Sequence, residues 1–502
     1  MLPRPTSIAL STAQRGAARR LERYDCAVLV VPARDPIRPL RTLAYGAELA
    51  ACARRAALQP DTHTTLTLPN KRQTLAVIVA AGSDGEPFAR QALAGRVIKA
   101  ALQSRPQRVA VIVLGGLRAA AVLREAFVLA LLTQAFELPR FTGRRRERRA
   151  APLRSIAVDG ASRRALERWA AAARAQNLAR WLTALPPNKM DARGYRRTLA
   201  RLVRTHRLRW RWYDERALRR LGAGAFLAVA AGNARRDAAG IAHLRYRPRG
   251  SAAAARRPDL ALVGKGIIFD TGGTNLKSHR SMLEMHTDMA GSAVALAVLL
   301  ALAEQRAPLA VDAWLAITEN RIGPTAYQPQ DVLTAANGTT IQVIHTDAEG
   351  RLVLADTLAL AGRTRPRIVL DFATLTGACV YALTERMSGL FTDDARLQAE
   401  LLAAGRASGE RLVAFPLAAD YDSDLESKVA DIAQCAVDGK GDHILAARFL
   451  RRFVPAGCRW AHIDLAAAVR SGGLGVVATD VTGFGVRLTL EWLAQRTPER
   501  LR

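Results

Sequence analysis

Aromatic side chains make up only 5% of the 502 residues. Ala and Leu must fill the interior instead, which favours helices laid on a sheet over a β-sandwich. Cysteine is also scarce. Cys26, Cys52, Cys379, Cys435 and Cys458 are odd in number, widely spaced and form no CxxC pair. That argues against a disulfide framework or a zinc ribbon and predicts reduced, mostly buried thiols. The longest apolar stretch, Ala293 to Ala303, is too short to span a bilayer. The opening MLPRPTSIALSTAQRGAARR lacks the continuous apolar core of a secretion signal. Together these absences predict a soluble, cytoplasmic protein with no membrane partner.

Negative charge is in the minority: 44 Asp+Glu face 74 Lys+Arg, a formal net charge of +30. Such a balance invites a nucleic-acid or anionic-surface partner. Only seven of the basic residues are lysines (Lys71, Lys99, Lys189, Lys265, Lys277, Lys428 and Lys440), leaving 67 arginines. The arginines are spread through nearly every segment, so a compositional preference for Arg and Ala explains much of the charge. Nucleic-acid binding is therefore a secondary alternative. The one dense cluster, Arg144, Arg145, Arg146, Arg148 and Arg149, reads first as an exposed, solvated linker.

The length exceeds what one core supports and predicts at least two domains. Residues 1–155 contain the strand-like runs CAVLVV (26–31), TLAVIVA (74–80) and VAVIVLGG (109–116), alternating with helical patterns around 90–103 and 117–136. That is a smaller N-terminal α/β domain. Residues 156–190 read as a linker helix ending at Pro186-Pro187, because proline cannot continue a helix. A larger C-terminal α/β domain occupies 191–502, with a mixed central sheet flanked by helices. Its strands include 260–266, 309–319 and 367–375, with helices expected at 290–305 and 351–363. Asn337-Gly338 between two short β-like runs predicts a hairpin.

Two segments carry chemistry. In VGKGIIFDTGGTNLKSHRSMLEMHTDMAG (263–291) a strand enters a Gly-rich turn bearing Lys265, Asp270 and Lys277, with Asp288 at the head of the next helix. In HTDAEGRLVLADTL (345–358) Asp347, Glu349 and Arg351 crowd another helix start. Each Asp, taken singly, has a plain reading as a turn or cap residue. Four carboxylates together at strand ends and helix starts suit hard divalent cations, since they would repel one another without metal. A chain that writes Arg almost everywhere keeps Lys265 and Lys277 in this one turn. An amine can lose its proton and ligate a metal, or serve as a compact charge for an oxyanion; a guanidinium cannot ligate.

These blocks closely resemble the signatures of the leucine aminopeptidase family, two-metal aminopeptidases: VGKG-x-x-FD-(S/T)-GG-x-x-x-K followed by DM-(G/A)-G, and (N/H)TDAEGRL. The resemblance runs from about residue 180 to 490 and takes in LPPNK (185–189), AYQPQDVL (326–333), DFATLTGA (371–378) and TGFGVR (482–487). It implies hydrolysis of N-terminal, leucine-like residues from peptides. One metal would be held by Asp270, Asp347 and Glu349, the other by Lys265, Asp270, Asp288 and Glu349, about 3.5–4 Å apart. The pair would lower the pKa of a shared water to give a bridging hydroxide. Mn2+ or Zn2+ is expected; Mg2+ and Co2+ are compatible. Lys277 would stabilise the oxyanion, and Arg351 would hold a bicarbonate that shuttles the proton. Met285, Thr374 and Leu375 would line the pocket for the first side chain, with Lys277 also touching substrate. A homohexamer is implied. His345, where many members have Asn, departs from the pattern and reads as a pocket residue, a hydrogen-bond partner or a structural histidine. A DNA-binding scaffold and a narrow Cys-Gly dipeptidase are the alternatives.

Overall fold

The computed structural model describes residues 2–3, 8–13, 20–82, 85–142, 152–233, 238–248, 257–494 and 496. The arginine cluster Arg144 to Arg149 lies outside them. The chain divides into two units.

The first unit comprises Arg4–Asn177 and Ser471–Asp480. Its strands are β1 (Ala9–Ala13), β2 (Cys26–Pro32), β3 (Thr62–Thr67), β4 (Leu75–Ala81), β5 (Arg108–Val113) and β6 (Ser155–Asp159). They form one sheet in the order β1-β6-β5-β2-β4-β3, parallel except for β3. The central strand β2 is buried along its whole length, as expected of a parallel strand covered on both faces. The helices Pro87–Ala101 and Ala120–Gln134 lie where the apolar periodicity put them.

The division differs from the one read from the sequence in two respects. β6 pairs with β5 in this sheet, so the unit extends past residue 155 to Asn177, inside the helix Arg163–Thr183. The segment Ser471–Asp480 also belongs here rather than with residues 191–502. The carbonyl of Val476 accepts from Thr133 Oγ1 and Gln134 Nε2, each at 3.1 Å. Gly95 lets this segment approach, because a Cβ there would lie 2.2 Å from the Gly475 carbonyl oxygen.

The second unit comprises Met1–Pro3, Leu178–Arg470 and Val481–Arg502. Its strands are β7 (Arg209–Tyr213), β8 (Gly240–Tyr246), β9 (Leu260–Asp270), β10 (Val311–Asn320), β11 (Val332–Thr334), β12 (Thr340–Gln342), β13 (Ile368–Ala373), β14 (Ser388–Phe391), β15 (Leu412–Ala414), β16 (Ile432–Ala433) and β17 (Arg459–Asp464). Eight of them form a mixed sheet, β15-β14-β17-β13-β9-β10-β8-β7. β17, β13, β9 and β10 are mutually parallel, so their carboxyl ends share one edge. Ligand sites of open α/β sheets sit at that edge. β11 and β12 form the expected hairpin across Asn337-Gly338, with Gly338 at φ +91°, and β16 adds a third strand.

The helix Ala290–Glu304 is buried on nearly every side. His279–Glu304 is long and apolar enough by composition to cross a membrane, but 89% of its apolar window is covered by the protein. Its seat on the sheet depends on absent side chains. A Cβ on Gly291 would lie 2.0 Å from the Phe372 carbonyl oxygen, and one on Gly264 would lie 2.5 Å from the Ser292 Cα. Gly291→Ala should therefore push helix and sheet apart at an overpacking cost of about 1–3 kcal/mol. The expected outcome is a lowered Tm in thermal unfolding; an unchanged Tm would contradict this packing account.

Candidate metal centre

Every residue that the two signature blocks nominate as a ligand reaches one pocket at the carboxyl edge of the second sheet. Lys265 projects from inside β9 and Asp270 ends it. Asp288 lies just before the helix Ala290–Glu304, and Glu349 opens the helix Glu349–Gly362. Asp347 belongs to the short turn Thr346–Ala348 that leads into that helix. Oxygens of Asp270, Asp347 and Glu349 all lie within 4.8 Å of one another.

The turn between β9 and Lys277 is shaped by its glycines. Gly272 and Gly273 have φ of +86° and +66°, the left-handed region that favours glycine. A Cβ on Gly272 would meet the Asn275 carbonyl oxygen at 2.4 Å. With the turn closed, the Lys277 amide donates to the Thr271 carbonyl (2.9 Å) and its ammonium folds back over the acids. Lys277 Nζ lies 2.9 Å from Asp270 Oδ2 and 2.5 Å from Asp347 Oδ1. Lys265 Nζ lies 2.8 Å from Glu349 Oε1 and 3.0 Å from Asp288 Oδ2, and donates to the Thr374 carbonyl at 3.1 Å. Gly350 makes room for it, since a Cβ there would sit 2.6 Å from Lys265 Nζ and 2.9 Å from Leu375 Cδ1.

Four carboxylates thus face two ammonium groups, an excess of two negative charges in a largely buried place. Burial pushes the Asp288 carboxyl up to about 7, with Glu349 and Asp270 adding to the rise against Lys265. Burial and Asp270 raise Glu349 to about 7 and Asp347 to about 6. Burial alone would lower the two lysines, but Asp288, Glu349 and Asp270 around Lys265, and Asp270, Glu349 and Asp347 around Lys277, outweigh it and raise both. Protons and lysine cations neutralise the cluster, and divalent cations with oxygen and amine donors fit the same set.

The residues assigned to the substrate pocket adjoin this cluster. Thr374 Oγ1 donates to Asp288 Oδ1 at 2.7 Å, so Thr374 also orients a candidate ligand. Leu375 is half-buried beside Gly350, and Met285 is half-buried in the turn before Asp288. His345 is exposed, and its Nδ1 accepts the Asp347 amide at 3.2 Å. Burial first, then Lys277 and Arg351, lower its pKa. It therefore serves as a neutral cap on the ligand turn. Arg351 is 2% exposed; its Nη2 donates to both oxygens of Asp442 (2.7 and 2.9 Å) and its Nη1 to the Gln434 carbonyl (3.2 Å).

Sequence reading passed over several supporting residues. Asn320 Nδ2 donates to Asp270 Oδ1 (2.8 Å) and the Thr346 carbonyl (3.1 Å), and lies 3.4 Å from Glu349 Oε2. It reaches them because an irregularity between Thr318 and Asn320 in β10 brings it opposite Asp270. Tyr327 Oη donates to the Thr346 carbonyl (2.6 Å), and Asp464 accepts from the Leu375 amide (3.0 Å) and Thr376 Oγ1 (2.6 Å). Tyr327 lies inside the AYQPQDVL motif, and a polar residue ending a buried strand is the available sequence signal for Asn320 and Asp464.

Residues 177–490 match the catalytic domain of the cytosol aminopeptidase family. The chain belongs to that family. A probable cytosol aminopeptidase of a Synechococcus species is 41% identical over 322 residues, 64% of either chain. One from Syntrophotalea carbinolica is 44% identical over 283 residues, 56% of this chain and 55% of the relative. The matched part of this chain thus spans about two-thirds or less of these relatives' length. Among solved structures, a bottromycin maturation enzyme, BotP, in complex with Mn superimposes with a TM-score of 0.79 at 31% identity, covering 93% of this chain and 98% of that one. A tomato leucine aminopeptidase variant gives 0.83 at 27% identity, covering 98% and 97%. A family of metallopeptidases accords with the carboxylate-rich pocket, and a divalent metal follows from it.

The raised carboxyls set the sign of a pH effect. Unfolded carboxylates titrate near 4, so between about pH 4 and 7 the folded chain holds protons that the unfolded chain has lost. Their contribution is full below the unfolded value and disappears as pH rises through 6 to 7. Chelator-treated protein should lose Tm from pH 5 to pH 8. Added Mn2+, competing with those protons, should raise Tm more at pH 8 than at pH 6; a hundredfold excess over Kd stabilises the fold by about 2.7 kcal/mol. An equal Mn2+ shift at both pH values would contradict the assignment.

Proposed function

We propose that this protein is a two-metal aminopeptidase that removes N-terminal residues, leucine-like ones preferred, from peptides. What carries the reading is the convergence of Asp270, Asp347 and Glu349 within ligand reach of one another, with Lys265 bridging Glu349 and Asp288. Asp270, Asp347 and Glu349 would hold one cation, and Lys265, Asp270, Asp288 and Glu349 the other. Mn2+ or Zn2+ suits this oxygen-rich set with one amine, and Mg2+ or Co2+ is compatible with it. When bound, the cations supply Lewis acidity, acidify the attacking water and anchor the substrate's free amine.

The chain's own residues do the rest. Lys265 must give up its proton to ligate, and the Thr374 carbonyl holds the amine in place. Asn320 fixes Asp270, and Thr374 fixes Asp288. Lys277, released from Asp270 and Asp347, presents its ammonium to the oxygen that becomes negative as the scissile carbonyl is attacked. Met285, Thr374 and Leu375 shape the pocket for the first side chain. Arg351 belongs to proton transfer, through a bicarbonate in the resemblance. Peptides as substrates, a homohexamer and a cytoplasmic location complete the proposal, supported by relatives named as cytosol aminopeptidases. The family membership disfavours a purely DNA-binding role; a Cys-Gly dipeptidase is a narrower form of the same chemistry.

Release of p-nitroaniline from leucine p-nitroanilide, with added Mn2+ or Zn2+, tests the reading. Metal-dependent turnover is expected, with Lys277→Ala lowering kcat by about 10²–10³-fold and Asp347→Ala abolishing it through loss of metal. A folded, metal-loaded protein inactive on this substrate and on a peptide panel would overturn it.

A further inference from the structure

Arg351 is where the leucine aminopeptidase resemblance seats an exogenous bicarbonate, yet its guanidinium already holds a carboxylate. Nη2 donates to both oxygens of Asp442, at 2.7 and 2.9 Å, and Nη1 is taken by the Gln434 carbonyl. Asp442 is the first residue of the ten-residue helix Asp442–Arg451, and Gly441 before it has φ +62°. Turning at Gly441 directs the chain into that helix, and the carboxylate then sits at its favourable N-terminal end. Arg351 is buried, whereas the Asp442 side chain is 26% exposed, so the acid keeps a face open towards solvent. Gln434 ties this pair to the Asp347 turn: its carbonyl takes Arg351 Nη1, its Oε1 accepts the His345 amide at 3.1 Å and its Nε2 donates to the Ala348 carbonyl at 2.9 Å.

A bicarbonate and an aspartate present the same recognised end to a guanidinium: a planar, negatively charged O–C–O that accepts paired N–H donors. We propose that Asp442 is the chain's own replacement for that bicarbonate, making peptide hydrolysis independent of dissolved bicarbonate. This rests on the aminopeptidase reading. As the attacking water forms its bond to the scissile carbonyl carbon, its O–H breaks and the proton passes to Asp442. When the C–N bond breaks, that proton passes to the leaving amine nitrogen, and Asp442 returns as the carboxylate held by Arg351. The net change is peptide plus water to amino acid plus shortened peptide. Arg351 is on this account a positioning residue.

The test compares wild type, Asp442→Ala and Asp442→Asn in CO2-free buffer and with added bicarbonate, using leucine p-nitroanilide and Mn2+. Wild type should be indifferent to bicarbonate. Asp442→Ala should lose about 10²–10⁴-fold in kcat, the usual worth of a general base, and regain much of it with bicarbonate. Asp442→Asn, which keeps the volume and covers the case of a misfolded alanine variant, should lose the rate and not regain it. Stimulation of wild type by bicarbonate, or full activity of either variant without it, would overturn the proposal. Calorimetric titration of bicarbonate into chelator-treated protein gives a readout independent of turnover. Binding to Asp442→Ala but not to wild type supports the proposal; binding to wild type overturns it. If wild type hydrolyses nothing, the aminopeptidase reading falls and this titration still decides what occupies Arg351.

Discussion

Mutual repulsion among Asp270, Asp288, Asp347 and Glu349 is the constraint around which the second unit is arranged. Four carboxylates crowded into a largely buried site cannot all stay ionised unless cations stand among them. The chain supplies two, Lys265 and Lys277, each bridging a different pair of acids. Two negative charges remain, and the raised carboxyls show that excess as retained protons. The strength of such interactions in a partly dry site makes the arrangement costly to the fold and useful to a metal.

That tension explains the local architecture. Parallel β9, β10, β13 and β17 bring Asp270, Asn320, Thr374 and Asp464 to one edge. Helices deliver Asp288 and Glu349 to the same edge from their amino ends. The approach of helix to strand is close enough to need glycine at 264, 291 and 350. Those positions are therefore as much part of the site as its acids. Around them, side chains that carry no positive charge (Asn320, Tyr327, His345, Asp464) fix the turns without repelling a cation.

Much of this was legible in the chain because it is written locally. Long apolar runs gave β2, β4, β5, β9, β10 and β13, and the arginine bias made Lys265 and Lys277 conspicuous. What stayed hidden depends on distance in sequence or on polar strands. β3, Thr62–Thr67, is an edge strand with alternating exposure and too little apolar content to register. The docking of Ser471–Asp480 onto the first unit has no local signature. Asp442 carries no sequence signal of its own, and only its pairing with Arg351, 91 residues away, gives it meaning. Asn320 follows an ordinary strand and is aimed at Asp270 by an irregularity that periodicity cannot foresee.

The central claim is that protons and lysine cations occupy places that two divalent cations take over. Titrating Mn2+ into chelator-treated protein near pH 7, in buffers of different ionisation enthalpy, counts both the metal bound and the protons released. The account predicts two Mn2+ per chain and release of at least one proton, because Lys265 and the raised carboxyls must give theirs up. Binding of fewer than two ions, or binding with no proton release, would contradict it.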